Sequence, residues 1–123
     1  MNIVLWVLQV FLGIAFLWSG GPKAIRDRGQ LLEQMPYVED LSDAQVTTIG
    51  ILEVAGGLGV ILPAVTGIAP VLTPIAAVGL AVVMVGAALL HVRRREPQGV
   101  AATLVIGALA AIVAWGRFGP YPT

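Results

Sequence analysis

The chain has no cysteine among its 123 residues. This absence excludes disulfides, thiolate metal sites, iron–sulfur ligation and a Cys-x-x-Cys redox relay within the chain. A single histidine, His91, likewise excludes haem ligation by two histidines of one chain. We therefore expect no metal site, and any redox role must rely on electron carriers that other molecules supply.

Charged residues are also scarce. They make up 11% of the chain, against roughly 25% in soluble domains, whereas 58% of the residues are hydrophobic. The seven basic and seven acidic residues cancel, so the uniformly basic surface that nucleic-acid binding requires is missing. The composition excludes an ordinary soluble globule, predicts no nucleic-acid partner, and favours the lipid bilayer as the main partner.

Four apolar runs have the length of a membrane span: residues 2–20, 44–62, 74–91 and 99–116. A bilayer core of about 30 Å takes roughly 20 helical residues, and backbone groups in lipid must be paired within their own segment. Glycine and alanine recur in the last three runs and allow helices to pack closely. We predict an all-α fold, with one integral membrane domain over residues 1–123 formed as a four-helix bundle of antiparallel up-down topology.

Local signals predict where these helices begin and end. Ser42 and Gln45 have the spacing of a capping box for helix two, and Pro63 is expected to end that helix. Thr73 and Pro74 are expected to form the N-cap and first position of helix three.

The first connector, residues 21–43, is the only long one between the predicted helices. Leu31, Leu32 and Met35 share one side of a short helix, which favours a segment lying at the membrane interface. The alternative is a mobile solvated loop, because Gly29 weakens any helix there.

The basic residues predict the orientation in the membrane. Six of the seven follow helices one and three and so fall on one face of the bilayer, whereas Arg117 lies on the other. The six are Lys23, Arg26, Arg28, Arg93, Arg94 and Arg95. Both basic connectors, including residues 21–43, should therefore be cytoplasmic and both termini outside. No basic residue precedes the long first apolar run, so we expect it to be retained, unlike a signal peptide.

Glu53 is the only ionisable residue deep within the predicted helices, nine residues from either end of helix two. A carboxylate there costs about 2.5–3.5 kcal/mol, so it should face the bundle interior, be protonated, or contact a water-filled cavity. Gly50 and Gly57 share its helix face and support an inward direction. We predict either a proton or substrate site, or a protonated group that joins helices through hydrogen bonds.

Gln9 is the second deep polar residue. It is expected to hydrogen-bond Glu53 across the interface of helices one and two. The pair is the candidate intramembrane polar site, and the alternative for Gln9 is an interhelical clasp without chemistry.

Lys23 and His91, at the inner ends of helices one and three, form the candidate polar cluster on the cytoplasmic side. Lys23 either snorkels to the interface or reaches into the bundle. His91 is about 12 Å of helix rise from the level of Glu53, so a proton relay between them needs water or Lys23. The helix dipole and lipid headgroups alone also account for a histidine there. The Arg93, Arg94 and Arg95 run is an orientation signal, with contact to anionic lipid or an acidic partner surface as its second use.

Taken in order, these residues resemble the DoxX-like family of small four-helix bacterial membrane proteins. The resemblance lies in the stretch Ser19–Lys23, expected as a turn after helix one, in residues 53–59, in Leu72–Thr73–Pro74, and in Gly86, Ala87, His91 and Arg93. It implies a protein of the bacterial cytoplasmic (inner) membrane, and some relatives are linked to thiosulfate:quinone oxidoreductase or to complexes with redox-protective enzymes. Lys23, Glu53 and His91 match recurring polar positions of the family, which supplies no catalytic role for them.

Two functions follow as expectations. The first is an accessory subunit of a membrane oxidoreductase system, either anchoring soluble redox enzymes or lying near a quinone, which is the one cofactor to consider. The second is a small proton-coupled transporter or channel with Glu53 as its intramembrane site, which would require a homo-oligomer because four short helices enclose little volume. No catalytic residue is assigned.

Overall fold

The first helix runs further than its apolar run predicts. The computed structural model describes residues 1–26 and 28–122, except the side chains at positions 28, 33 and 34, and its first helix, α1, spans Asn2–Ile25. The stretch Ser19–Lys23 is therefore helical, and the expected turn is wrong. Pro22 lies in the last turn of α1, where its missing N–H removes one hydrogen bond and the Arg26 N–H still donates to the Pro22 carbonyl.

The long connector contains a short helix, α2, over Arg28–Gln34, and a 3₁₀ helix over Pro36–Asp40. The apolar side predicted for this segment is buried, so the expected short helix is present and the loop alternative is wrong. Its small core consists of Leu31, Val38 and Val46, with Leu32 and Met35 packed against them. The Arg28 side chain, one of the six cations counted above, lies outside the described residues.

Ser42 caps the next helix, α3, which spans Asp43–Gly59. Its hydroxyl accepts the Gln45 N–H at 3.1 Å and its own N–H donates to Gln45 Oε1 at 2.9 Å, so the predicted capping box is confirmed. Pro63 lies in the first turn of a further short helix, α4, over Leu62–Thr66. The prediction that Pro63 ends a helix is wrong, because a proline in the first turn loses no intrahelical hydrogen bond.

The last two helices are α5, Leu72–Arg93, and α6, Pro97–Phe118, and each extends two residues beyond its predicted run at both ends. Val71, not Thr73, is the N-cap of α5, so the predicted start is wrong. The preceding turn already supplies an acceptor, since the Thr73 N–H donates to the Pro70 carbonyl.

The long helices pack as a closed bundle. The α1 helix packs along α3 and α5 along α6, and smaller contacts join α3 to α5 and α1 to α6. Gly13 lies against Gly57 and Gly20 against Gly50, so residues increase along α1 as they decrease along α3. We call the end of the bundle where α1 and α5 end and α3 and α6 begin the Lys23 end, and the opposite end the Arg117 end.

Four helical stretches of the described chain are long and apolar enough to cross a membrane. They are Asn2–Ile25, Asp43–Thr66, Leu72–Arg93 and Pro97–Phe118, the second of which comprises α3 and α4. Many of their large apolar side chains point outward and are exposed, which suits contact with lipid rather than water. The all-α membrane bundle predicted from composition is confirmed, and its orientation in the bilayer stays a prediction.

Candidate functional site

A cavity of about 490 Å³ lies in the half of the bundle nearer the Lys23 end. This size falls within the roughly 300–1,000 Å³ of small-molecule sites. Its wall is mainly apolar, with a few polar side chains gathered on one side. The polar lining residues are Ser19, Lys23, Tyr37, Glu53, His91, Arg93 and Thr103, and the apolar ones include Phe16, Val83, Met84, Leu90 and Ile106.

A buried ion pair forms the polar floor of this cavity. Lys23 Nζ donates to Glu53 Oε1 at 2.6 Å, and the two residues are 6% and 1% exposed. Ser19 joins both, because its hydroxyl donates to Glu53 Oε2 at 3.1 Å and accepts from Lys23 Nζ at 3.1 Å. Glu53 is the eleventh residue of the 24-residue span Asp43–Thr66, so the pair lies well inside the apolar part of the bundle.

Two glycines allow the ion pair to form. A Cβ on Gly20 would lie 2.7 Å from Glu53 Cβ and 2.8 Å from the Gly50 carbonyl, and a Cβ on Gly50 would lie 2.7 Å from Lys23 Cβ. The α1 and α3 backbones can therefore approach closely only because both positions lack a side chain. Since α1 continues through Pro22, Ser19 and Lys23 stand four residues apart on one helix face, directed at Glu53.

The ion pair is electrically neutral as a unit, and its other neighbours are uncharged hydroxyl groups. Each charge alone would be costly at this depth, and their pairing offsets much of that cost. An ammonium group has three N–H donors, of which Ser19 and Glu53 accept two. The Tyr37 side chain, which lines the same cavity, is a further partner of the ammonium.

Tyr37 covers the mouth of the cavity at the Lys23 end. Its ring centroid lies 5.3 Å from Lys23 Nζ and 5.2 Å from the His91 ring, so it stands beside both residues. Burial raises the pKa of the Tyr37 phenol, although the Lys23 ammonium opposes this rise. The hydroxyl therefore stays protonated at neutral pH, and among the described residues it donates to Met35 Sδ at 3.6 Å, a weak acceptor.

Ion pairs hold the connector over this mouth. Arg94 Nη1 binds Glu39 Oε1 at 2.8 Å and Asp40 Oδ1 at 3.2 Å, which joins the 3₁₀ helix to the end of α5. These carboxylates, Glu39 foremost, raise the pKa of Arg94. His91 Nδ1 lies 2.8 Å from Glu96 Oε1, and this hydrogen bond is the main cause that lowers the pKa of Glu96.

The structure unites some of the predicted site residues and separates others. Lys23 and Glu53 are paired, and His91 lines the same cavity without a direct contact to either among the described residues. Arg93 lines the cavity and Arg95 is exposed, whereas Arg94 is engaged by acidic side chains of its own chain. Lys23 thus reaches into the bundle and does not snorkel.

Gln9 has no contact with Glu53, so the expected hydrogen bond is wrong. Its side-chain amide donates to the Val60 carbonyl at 2.7 Å, and its Oε1 accepts from Arg117 Nε at 2.7 Å. Glu53 lies level with Gly20, eleven residues further along α1, which is about 16 Å of helix rise. Gln9 therefore joins α1, α3 and α6 at the Arg117 end.

Two residues of the structure were not anticipated from the sequence. Tyr37 follows Pro36 in the connector, and the only signal was the amphipathic segment just before it. Arg117 enters the sequence analysis only through the orientation count, but it is 3% exposed, with Nη1 donating to Asn2 Oδ1 at 2.6 Å and to the Tyr121 carbonyl at 2.9 Å. No sequence signal distinguishes this buried arginine from an exposed arginine that only marks the orientation in the membrane.

A protein-family model described as the DoxX-like family matches residues 7–113 of the chain. The chain belongs to the DoxX-like family. Searches among curated proteins and among solved structures find no significant match. All residues that line the cavity of this DoxX-like protein fall within the matched range, whereas Arg117 lies outside it. Family membership and the four apolar helices together identify a multi-pass membrane protein.

Proposed function

We propose that this DoxX-like protein binds a lipid-soluble, uncharged carbonyl compound of the quinone class in its cavity and so serves a membrane oxidoreductase system. The observation that carries the proposal is the Lys23–Glu53 pair, a buried polar group at the floor of an apolar cavity. Because the pair is neutral overall, a neutral head group enters without adding an uncompensated charge to a site of low dielectric.

The available donors suit a carbonyl oxygen. A ligand oxygen can accept from Lys23 in place of the Tyr37 phenol, and the Tyr37 hydroxyl can leave its weak sulfur acceptor for a better one. The apolar walls, including Phe16, Met84 and Ile106, suit a ring and an alkyl or isoprenoid tail. When bound, a quinone would supply electron and proton exchange, and the chain's own residues would orient its polar oxygens and exclude water.

The connectors at the Lys23 end are the surface proposed for a soluble redox partner or an anionic lipid. Arg93 and Arg95 are exposed there, so they remain able to meet acidic groups from outside. Arg94 is already paired with Glu39 and Asp40 and contributes to holding the connector. We place this end on the cytoplasmic side, in line with the positive-inside rule.

The experiment that tests binding uses protein in lipid nanodiscs and a short-chain quinone as the probe. The double variant Lys23→Met with Glu53→Leu replaces both partners by apolar groups of similar size, which preserves folding better than removing one charge. Loss of a charge-assisted hydrogen bond predicts binding weaker by about tenfold. The control, Arg95→Gln, changes an exposed residue and should bind as the unmodified protein does. Equal binding by the double variant, or no binding by the unmodified protein, would contradict the proposal.

A proton-coupled transporter is the second candidate. It is favoured by a second buried polar group, Gln9 with Arg117, in the half of the bundle that the cavity does not reach. Between the two polar groups lie the buried side chains of Leu12 and Leu80, so transport would require this apolar barrier to open. Proteoliposomes whose proton flux is abolished by Glu53→Gln would support this candidate, and flux equal to that of empty liposomes would contradict it.

A further inference from the structure

We infer that the ligand enters the cavity sideways, from the bilayer, through a gap between α3 and α5 at Gly86. The inference rests on the function proposed above and adds the route of entry and the class of ligand. That class is an amphiphile with a small neutral head on the Lys23–Glu53 pair and an apolar tail that leaves the bundle between these two helices.

The α3 and α5 helices approach closely in the half toward the Arg117 end. There a Cβ on Gly56 would meet the Leu80 side chain, and a Cβ on Gly59 would lie 2.7 Å from Ala76 Cβ. Nearer the Lys23 end, residues of both helices instead line the cavity, Ile49 and Glu53 from α3 and Val83, Gly86 and Leu90 from α5. The two helices therefore have the cavity between them over this stretch.

Gly86 lies at the outer edge of that stretch. It lines the cavity, it is exposed, and a Cβ built on it meets no atom within 4 Å. Leu89, one turn along on the same helix, also lines the cavity while being 60% exposed. We take residues that are exposed and also line the cavity to mark an opening in its wall, on a surface that would face lipid in a membrane.

The other route, through the mouth at the Lys23 end, is covered. Tyr37 and Leu41 from the connector line the cavity there, and the Arg94 pairs with Glu39 and Asp40 hold the connector in place. Entry from water would require this cover to move, whereas at Gly86 a Cβ would meet no atom within 4 Å, so the space beside this residue is open. The open side therefore favours a ligand that partitions into the bilayer.

The test compares Gly86→Leu with Gly79→Leu. Gly79 lies two helical turns earlier on the same face of α5, is also exposed, has open space around its Cβ and does not line the cavity, so it is a matched control. Neither change should harm the helix, because leucine is a better helix former than glycine. The probes are a quinone with a long isoprenoid tail and the same head group without a tail, measured with protein in nanodiscs.

We expect Gly86→Leu to weaken binding of the long-tailed probe at least tenfold and to change binding of the tail-less probe by less than about twofold. The Gly79→Leu variant should bind both as the unmodified protein does. Gly86→Ala, a smaller change, should give an intermediate loss and keeps the test valid if the leucine variant fails to fold.

Two results would overturn the lateral route while leaving the proposed function intact. One is unchanged binding of the long-tailed probe by Gly86→Leu, and the other is an equal loss for both probes, which would indicate a filled cavity and no portal. If the unmodified protein binds neither probe, the proposed function itself fails, and the lateral route fails with it.

Discussion

Lys23 and Arg117 are the buried cations of the described chain, and they lie in opposite halves of the bundle with different partners. Lys23 has a carboxylate, Glu53, and the pair faces a cavity. Arg117 has neutral acceptors, the side chains of Gln9 and Asn2 and the Tyr121 carbonyl, and its Nη2 has no partner among the described residues.

This difference makes the Lys23 group a candidate binding site and the Arg117 group a structural link between helices. Around Arg117 most polar atoms are used to join α1, α6 and the segment after α6, and the guanidinium also lies 5.5 Å from the Trp6 ring. Around Lys23 the charges cancel and the pair borders open space. A buried polar group in a membrane bundle is thus a candidate site when it borders a cavity, and a structural link when its partners surround it.

The largest expected effect concerns the charge balance of the Lys23–Glu53 pair. Either Lys23→Met or Glu53→Leu alone leaves an unpaired buried charge and should lower the free energy of unfolding by about 3 kcal/mol or more. The double variant should recover most of that loss. Unfolding in mixed detergent micelles measures all three variants, and a double variant as unstable as the sum of the singles would show that the two charges are not coupled.

A slightly smaller effect is expected where the backbones approach beside the pair. Gly20→Ala places a methyl group 2.8 Å from the Gly50 carbonyl, so α1 and α3 must separate, at a cost of about 1–3 kcal/mol. The neighbouring Gly21→Ala is the control, because a Cβ there meets nothing within 4 Å. Thermal unfolding should show a lower Tm for the first variant only. Equal Tm values would mean that the close approach is not required.

At the Arg117 end, Arg117→Met removes the donor to Gln9 Oε1, which is fully buried. The lost hydrogen bonds should lower the free energy of unfolding by about 2 kcal/mol, while quinone binding in the other half stays unchanged. The exposed Arg95→Met serves as the control and should stay within about 0.5 kcal/mol. A loss of ligand binding in Arg117→Met would contradict the purely structural role given to the Arg117 group.

The smallest expected effect is a pH dependence confined to the Lys23 end. The His91 hydrogen bond lowers the pKa of Glu96, so ionised Glu96 stabilises the folded protein. This contribution is complete above the ordinary carboxyl pKa of about 4.3 and is lost as the pH falls through the lowered value. Glu96→Gln lacks this titrating group. The Tm of the unmodified protein should therefore fall toward that of Glu96→Gln on acidification below about pH 5. A Tm difference that stays constant with pH would contradict this assignment.

The four spans were predictable from the sequence because length and hydropathy alone decide whether a helix can cross a bilayer. The helix ends were less predictable. Pro63 predicts a helix end, yet it lies in the first turn of α4. Pro22 predicts a turn, yet it lies in the last turn of α1. A proline disfavours only the helix interior, and the sequence does not state which side of a helix end it occupies.

The candidate site was predictable in part. Glu53 stood out because an ionisable residue at that depth is costly, but its pairing with Lys23 depends on α1 continuing past Pro22. The position of Tyr37 depends on how the connector folds back over the bundle, which is a property of tertiary contacts such as those of Arg94. The sequence predicts a contact between Gln9 and Glu53 from the depth of each residue along its own helix. The contact depends on the register between α1 and α3, which sequence position does not give.

The neutrality of the Lys23–Glu53 pair determines how the membrane voltage acts on the cavity. An electric potential does work on net charge, about 2.3 kcal/mol for each elementary charge carried across 100 mV. An uncharged head group that settles on the pair moves no charge, so its occupancy should be the same in polarised and depolarised membranes. A proton delivered from water to Glu53 would give the site a net charge, and its occupancy would then follow the voltage.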